Sequence, residues 1–349
     1  MTRKSALVVC PGRGTYNKPE LGYLARYHKH RYELLRVMED ERARVRQPSL
    51  ASLDSADRYS VATHTRGDNA SLLIHACAMG DFAAIDQDTY DIVAVTGNSM
   101  GWYIALACAG AASQTVGAQI VNTMGTYMQE ALIGGQLVYP ITDSEWKEIP
   151  GRCAEILDLL TEVNAEPGHE VDVSIELGGM IVLAGNDEGL TALTSRLEPI
   201  DRYPMYLQNH AAFHTRLQDP VSKRGLETFS PDQFQSPNIP MIDGRGHIWS
   251  RHASDQGALH QYTFGHQVVE TYDFSRAVQV GMREFAPDCI LLLGPGGTLG
   301  GAIAQSLIAI DWQGLDSKSA FQVRQDTDPI LLAMGREDQR ALVTGAAND

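Results

Sequence analysis

No stretch of these 349 residues is apolar for long enough to span a membrane, and the first apolar run, Ala6 to Cys10, is too short for a signal peptide. Basic residues are scarce. Against 43 Asp and Glu there are 28 Lys and Arg, a formal charge of −15, and the one short basic run is Arg42-Ala43-Arg44-Val45-Arg46. A surface of that sign repels phosphate backbones and anionic lipid, so neither a nucleic acid nor a membrane is expected as a partner. Cysteine is sparse as well. Cys10, Cys77, Cys108, Cys153 and Cys289 are odd in number and four stand in apolar surroundings, which argues against a disulfide framework and predicts reduced core thiols in a cytoplasmic setting. Internal repeats and low-complexity tracts are also missing. What remains, 44% hydrophobic and 20% charged, describes an ordinary globular chain long enough for one large α/β domain or two domains.

The strongest local signal is Gly97-Asn98-Ser99-Met100-Gly101. Asp91 to Val95 before it reads as a short buried strand, and Trp102 to Gly110 after it reads as a helix closed by glycine. That context predicts a nucleophile elbow, in which a sharp turn projects a serine hydroxyl and the flanking glycines let strand and helix cross closely. The N–H groups of the new helix would face an oxyanion formed beside Ser99.

Ser5 to Cys10 reads as a first strand feeding the turn Pro11-Gly12-Arg13-Gly14-Thr15, which lacks the rest of a dinucleotide fingerprint and is taken as a backbone-donor loop. Helices are expected over 21–46, 69–85 and 116–133, with an irregular polar stretch over 46–67. From residue 134 the pattern becomes strand (136–141), helix (145–163, interrupted near Pro150), two strands (171–176 and 180–184), helix (189–197) and strand (203–208). This β-α-β-β-α-β order predicts an inserted ferredoxin-like unit over 134–207. The chain then returns to α/β character with strands at 241–242 and 289–293, helices over 258–267 and 275–285, and a surface segment in the last twenty residues. The expected fold is thus α/β: an α/β-hydrolase-like core with a central parallel sheet, residues 1–133 and 208–349, carrying the smaller insert.

A nucleophilic serine needs a base. Of eleven histidines, His28, His30, His64, His252 and His260 stand in polar stretches, where a solvated side chain is the ordinary case. His210 and His214 follow the last strand of the insert, a natural cleft edge, and spacing alone does not choose between them.

Six short motifs in order resolve the choice through a resemblance. Pro11-Gly12-Arg13-Gly14, Gly97-Asn98-Ser99-Met100-Gly101, Met124-Gly125-Thr126-Tyr127-Met128-Gln129, Phe213-His214-Thr215, the stretch Gln267 to Phe274 and Gly294-Pro295-Gly296 together resemble the malonyl-CoA:acyl carrier protein transacylase family, which includes the acyltransferase domains of fatty acid and polyketide synthases. The likeness covers about residues 5–310. It implies Ser99 as nucleophile, His214 as general base, the backbone carbonyl of Gln267 as the group orienting the imidazole, and the backbone N–H groups of Arg13 and Met100 as the oxyanion hole. It further implies ping-pong transfer of an acyl group from a coenzyme A thioester to the phosphopantetheine thiol of an acyl carrier protein, with no cofactor and no metal.

Departures from the family pattern carry their own information. In ungapped register from Ser99, the arginine that clamps a malonyl carboxylate falls on Met124, which cannot form a bidentate charged contact. A malonyl carboxylate would lose its partner, so a neutral acyl group is expected over a thioether in the pocket floor, unless Arg13 supplies a cation from the opposite loop. Asn98 for the elbow histidine and Trp102 for a glutamate suggest a reshaped acyl pocket, with His210 as a neighbour of the site. A hydrolase that clears acyl groups from carrier proteins has the same residue requirements, and an idle partner subunit is disfavoured by the intact Ser99 and His214.

Overall fold

The computed structural model describes residues 3–345 and contains two sheets. Among the described residues eleven strands are formed: β1 (Lys4–Cys10), β2 (Tyr90–Gly97), β3 (Gly135–Pro140), β4 (Val171–Leu177), β5 (Met180–Gly185), β6 (Met205–Tyr206), β7 (Met241–Ile242), β8 (Ile248–Trp249), β9 (Tyr272–Asp273), β10 (Cys289–Leu292) and β11 (Leu331–Ala333). The larger sheet has the order β11-β10-β1-β2-β7-β8, and all its pairings are parallel except β7 with β8. β1 lies inside it, and Ala6 to Cys10 are fully buried, as a continuous apolar run with strands on both sides and helices over both faces should be. Cys10 pairs with Gly97, so the turn after β1 and the elbow after β2 leave the sheet side by side at its carboxyl edge. That edge is where open α/β sheets bind ligands.

The smaller sheet has the order β6-β3-β5-β4-β9. Its two faces serve different bodies. Leu137, Tyr139, Ile181 and Leu183 pack with the helices Arg152–Asn164 and Asp187–Arg196 in a separate apolar cluster, while Val138, Ile175 and Val182 join the main core. Period-2 alternation along β3 and β5 produces this division. In β4 the alternation slips: Val173 pairs with Leu183 but Ile175 with Val182, so Ser174 is a bulged residue and Ile175 turns to the opposite face from Val173. β9, from the segment just after Gln267, closes this sheet parallel to β4.

Several expected elements differ. The helix expected over 145–163 starts only at Arg152, because Pro150 lacks an N–H and disfavours helical backbone at the preceding residue; Gly151 then enters with φ 83°. The helix expected over 21–46 is broken into a π-turn at Leu24–His28 and a helix at Tyr32–Arg44, where Arg31 takes a non-helical conformation. The stretch 46–67 holds short helices at Leu50–Asp54 and Val61–His64. The last twenty residues are no mere surface segment. Ile330 to Met334 are buried around β11, and helix Glu337–Thr344 is tied down by Arg340, whose Nη1 donates to Asp81 Oδ1 at 2.6 Å; residues 346–349 of that stretch lie outside the described residues. No helix among the described residues is long and apolar enough to cross a membrane.

Candidate active site

The elbow forms where the sequence pattern predicts it, and close packing accounts for its glycines. A Cβ on Gly97 would stand 2.4 Å from the carbonyl carbon of Gly101, and one on Gly101 would stand 2.4 Å from the Cys10 carbonyl oxygen. Ser99 sits at φ 55°, in the left-handed region that a non-glycine residue enters only when its surroundings impose it. Tyr272 holds the turn from behind, its hydroxyl donating to the Gly97 carbonyl at 2.6 Å.

Ser99 Oγ lies 2.7 Å from His214 Nε2, and His214 Nδ1 lies 2.6 Å from the Gln267 carbonyl oxygen. A carbonyl only accepts, so Nδ1 carries the proton and Nε2 presents its lone pair to the serine hydroxyl. The same short segment holds the histidine twice, since its backbone N–H donates to the Val268 carbonyl at 3.1 Å. The Gln267 side chain adds a tie, with Nε2 donating to the Ser99 carbonyl at 3.1 Å and Oε1 accepting from the Tyr103 hydroxyl at 2.8 Å. Burial pushes the His214 imidazole down to about 4, opposed by the bond to Gln267, so the ring is neutral and able to take a proton at neutral pH.

The backbone N–H groups of Arg13 and Met100 donate no hydrogen bond among the described residues, and both residues line the same cavity as Ser99 and His214. Two free donors beside a nucleophile are what an oxyanion hole requires. The cavity measures about 380 Å³. Asn98 and His210 also line it, with Val138, Ile175, Val182 and Leu207 giving it an apolar wall.

Two expectations about the pocket are corrected. Met124 is fully buried but does not line the cavity, because Gly225 leaves room for its thioether: a Cβ there would lie 3.1 Å from Met124 Sδ and 3.2 Å from Phe264. Gly125 and Met128 face the cavity from that helix instead. Trp102 is equally absent from the wall; its indole N–H donates to Thr263 Oγ1 at 3.1 Å within the core. Arg13 is a clamp between segments. Its Nη2 donates to the carbonyls of Thr65 and Asn209, both at 3.0 Å, its guanidinium lies 5.2 Å from the centre of the Phe213 ring, and Nε and Nη1 are occluded. Burial lowers this guanidinium to about 10, which leaves it charged. Tyr103, Tyr272, Gln136 and Ser174 also contribute to the site, although the sequence pattern does not single them out. A lone Ser in an apolar strand and a Gln beside the Gly134-Gly135 helix stop are the signals it offers for the last two.

Two buried histidines, His75 and His214, and the half-buried His210 share a consequence for stability. His75, with neither ring nitrogen bonded, and His210 are pushed down to about 3, in both cases chiefly by burial, and His214 to about 4. Each folded-state value lies below the unfolded value of about 6.5, so the unfolded chain binds more protons in between. Their contribution is complete above about pH 6.5 and is lost as pH falls toward 4 and 3, on the order of 2 kcal/mol per histidine at pH 5. Urea denaturation is therefore expected to show a clearly lower midpoint at pH 5 than at pH 7; equal midpoints would contradict the burial argument.

No protein-family model matches the chain. Over 149 residues it is 28% identical to malonyl CoA-acyl carrier protein transacylase of Bacillus subtilis, a match covering 42% of this chain and 44% of that protein. Over 219 residues it is 26% identical to one component of the phenolphthiocerol/phthiocerol polyketide synthase of Mycobacterium tuberculosis, covering 62% of this chain and 13% of that one. The chain thus spans less than half the length of these curated relatives. Solved structures extend the likeness across the whole fold. A malonyl-CoA:acyl carrier protein transacylase of Xanthomonas oryzae superposes with a TM-score of 0.75 at 18% identity over 99% of both chains. The acyl-carrier-protein S-malonyltransferase of Burkholderia pseudomallei gives 0.74 at 18%, over 98% of this chain and 99% of that one. The protein is of the α/β class, with mixed sheets. Its fold is that of the malonyl-CoA:acyl carrier protein transacylases, the family it also resembles in sequence.

Proposed function

We propose that this protein is an acyltransferase that carries an acyl group on Ser99 between thioesters. The chain from Ser99 Oγ through His214 to the Gln267 carbonyl is the observation that carries this reading. His214 takes the serine proton as Oγ attacks the thioester carbonyl, the N–H groups of Arg13 and Met100 receive the oxyanion, and the thiol leaves with the proton. A second thiol then reverses these steps. Coenzyme A or a carrier protein is the donor and the phosphopantetheine thiol of an acyl carrier protein the acceptor, as the names of the relatives in fatty acid and polyketide synthesis suggest. No cofactor or metal takes part in these steps. The free thiols of Cys10 and Cys108, 4.0 Å apart, fit a reducing, cytoplasmic setting.

The transferred group is proposed to be neutral, acetyl or longer. The cavity wall is largely apolar, and Met124, turned into the core beside Gly225, puts no charged group in it. Two guanidiniums line the cavity: Arg13 has Nη2 committed to two carbonyls and its other N–H groups occluded, and Arg202 is an exposed side chain whose Nη2 donates to the Tyr203 hydroxyl at 3.2 Å, so neither is a buried, preorganised clamp for a malonyl carboxylate. Residues 134–207 are proposed to be a ferredoxin-like insert in an α/β-hydrolase-like core of 1–133 and 208–349. The strand order β6-β3-β5-β4 and the insert's own apolar cluster support that division.

Exposing the enzyme to acetyl, longer neutral acyl and malonyl thioesters and weighing the intact protein tests the reading. Neutral adducts are expected to form faster than malonyl, and a holo carrier protein is expected to discharge them faster than water does. No adduct with any thioester would overturn the acyl-enzyme, faster malonylation would overturn the neutral acyl group, and discharge by water alone would make the protein a hydrolase.

A further inference from the structure

His214 is not the only imidazole facing this cavity. His210 lines it too, with Nδ1 2.7 Å from Gln136 Oε1, Gln136 Nε2 2.5 Å from Ser174 Oγ, and Ser174 Oγ 2.7 Å from the Phe213 carbonyl oxygen. The last member fixes the direction of every proton in this relay. A carbonyl only accepts, so Ser174 must donate to Phe213, and its oxygen is left to accept from the Gln136 amide N–H. Gln136 therefore turns its carbonyl oxygen to His210, and Nδ1 must carry the hydrogen. Nε2 is then left as a bare acceptor, and it makes no hydrogen bond among the described residues. The β4 bulge makes the relay possible, because Ser174, the unpaired residue, is free to reach Gln136 and Phe213.

The mechanism gives this lone pair nothing to do. Burial and the charge of Arg13 keep the ring neutral, pushing it down to about 3, so it does not become a donor at neutral pH. Val138, Val182, Met205 and Leu207, which line the same cavity, offer it no partner. Once a substrate displaces water from this wall, an unpaired acceptor is a cost that a donor on the substrate removes.

We propose that His210 Nε2 accepts a hydrogen bond from the bound thioester, given by a hydroxyl on the acyl chain or by an amide N–H of the pantetheine arm. The proposal rests on the acyl-transfer reading and deepens it: the site selects a thioester with a hydrogen-bond donor at this depth. A carboxylate there would meet acceptor with acceptor, in keeping with a neutral acyl group.

The test measures kcat/KM for acylation of Ser99 by a matched 3-hydroxyacyl and saturated acyl pair of equal length. Each is presented as the coenzyme A thioester and as the thioester of a simple alkyl thiol without pantetheine amides. In His210→Phe, either the hydroxyacyl-to-saturated ratio or the coenzyme A-to-alkyl-thiol ratio is expected to fall by about two- to tenfold, the first marking the acyl hydroxyl as donor and the second the arm. His210→Gln, whose Oε1 replaces the acceptor, should recover much of the loss. If both ratios stay at the wild-type value in His210→Phe, the proposal is wrong. A wild type that no thioester acylates would instead remove the acyl-transfer reading itself. Should His210→Phe fail to fold, nitrogen-15 spectra of the wild type decide: a neutral Nδ1–H ring at pH 7 is expected, and an Nε2–H ring or an imidazolium would overturn the assignment.

Discussion

Ser99→Ala is expected to abolish the covalent adduct that acyl thioesters leave on the wild-type protein. Only Ser99 has its hydroxyl on the neutral imidazole of His214, on a turn whose φ of 55° turns it away from the helix it precedes. Removing Oγ takes away the atom that forms the ester bond, so no neighbouring group replaces it at a comparable rate. The small side chain leaves the close contacts of Gly97 and Gly101 unchanged, and the variant should fold as the wild type does. Intact mass after brief exposure to acetyl and longer acyl thioesters reads the outcome directly. An adduct of the same mass and yield in Ser99→Ala would place the nucleophile elsewhere.

His214→Ala is expected to slow acylation by about 10²–10⁴-fold, the usual cost of losing a general base. The serine would keep its elbow and its two N–H donors but have no acceptor for its proton. Geometry predicts the pH dependence as well. Because the imidazole must be neutral to act and burial pushes it down to about 4, the rate should hold at pH 5 to 6 and fall as pH drops through about 4. A limb centred near 6.5, the ordinary histidine value, would mean that the site is wetter than its packing implies. His210→Ala makes the comparison sharp. Its ring is bonded to Gln136 rather than to Ser99, so acylation should be far less affected than in His214→Ala. The reverse ranking would show that the roles of the two histidines had been exchanged.

Much of the site is legible in the sequence because it is local. The strand, turn and helix around Ser99 occupy one continuous stretch, and its glycines answer to contacts within it or with the neighbouring strand β1. The β-α-β-β-α-β order is equally visible, since each element carries its own apolar period. The choice between His210 and His214 is not a matter of local pattern. It requires the family resemblance, and the fold supplies the physical ground: only His214 stands between Ser99 and the Gln267 carbonyl, groups 168 residues apart in the chain.

Met124 shows where register fails as a guide to contact. Counting from Ser99 finds its position on the helix, but which side of the helix meets the cavity depends on Gly225, about a hundred positions later, whose missing side chain gives the thioether a place in the core. Ser174 shows the same limit in a strand. Val171, Val173 and Ile175 read as one face, yet a bulge that no propensity signals sends Ile175 to the cavity wall and frees Ser174 to orient Gln136 and His210. The elbow, the order of the elements and the kinds of residue available for chemistry can all be read along the chain, because they follow from backbone sterics and short-range periodicity. Which side chains share the cavity, and which way their protons point, is decided only in the folded molecule, because packing and hydrogen bonding there join segments that are far apart in the chain.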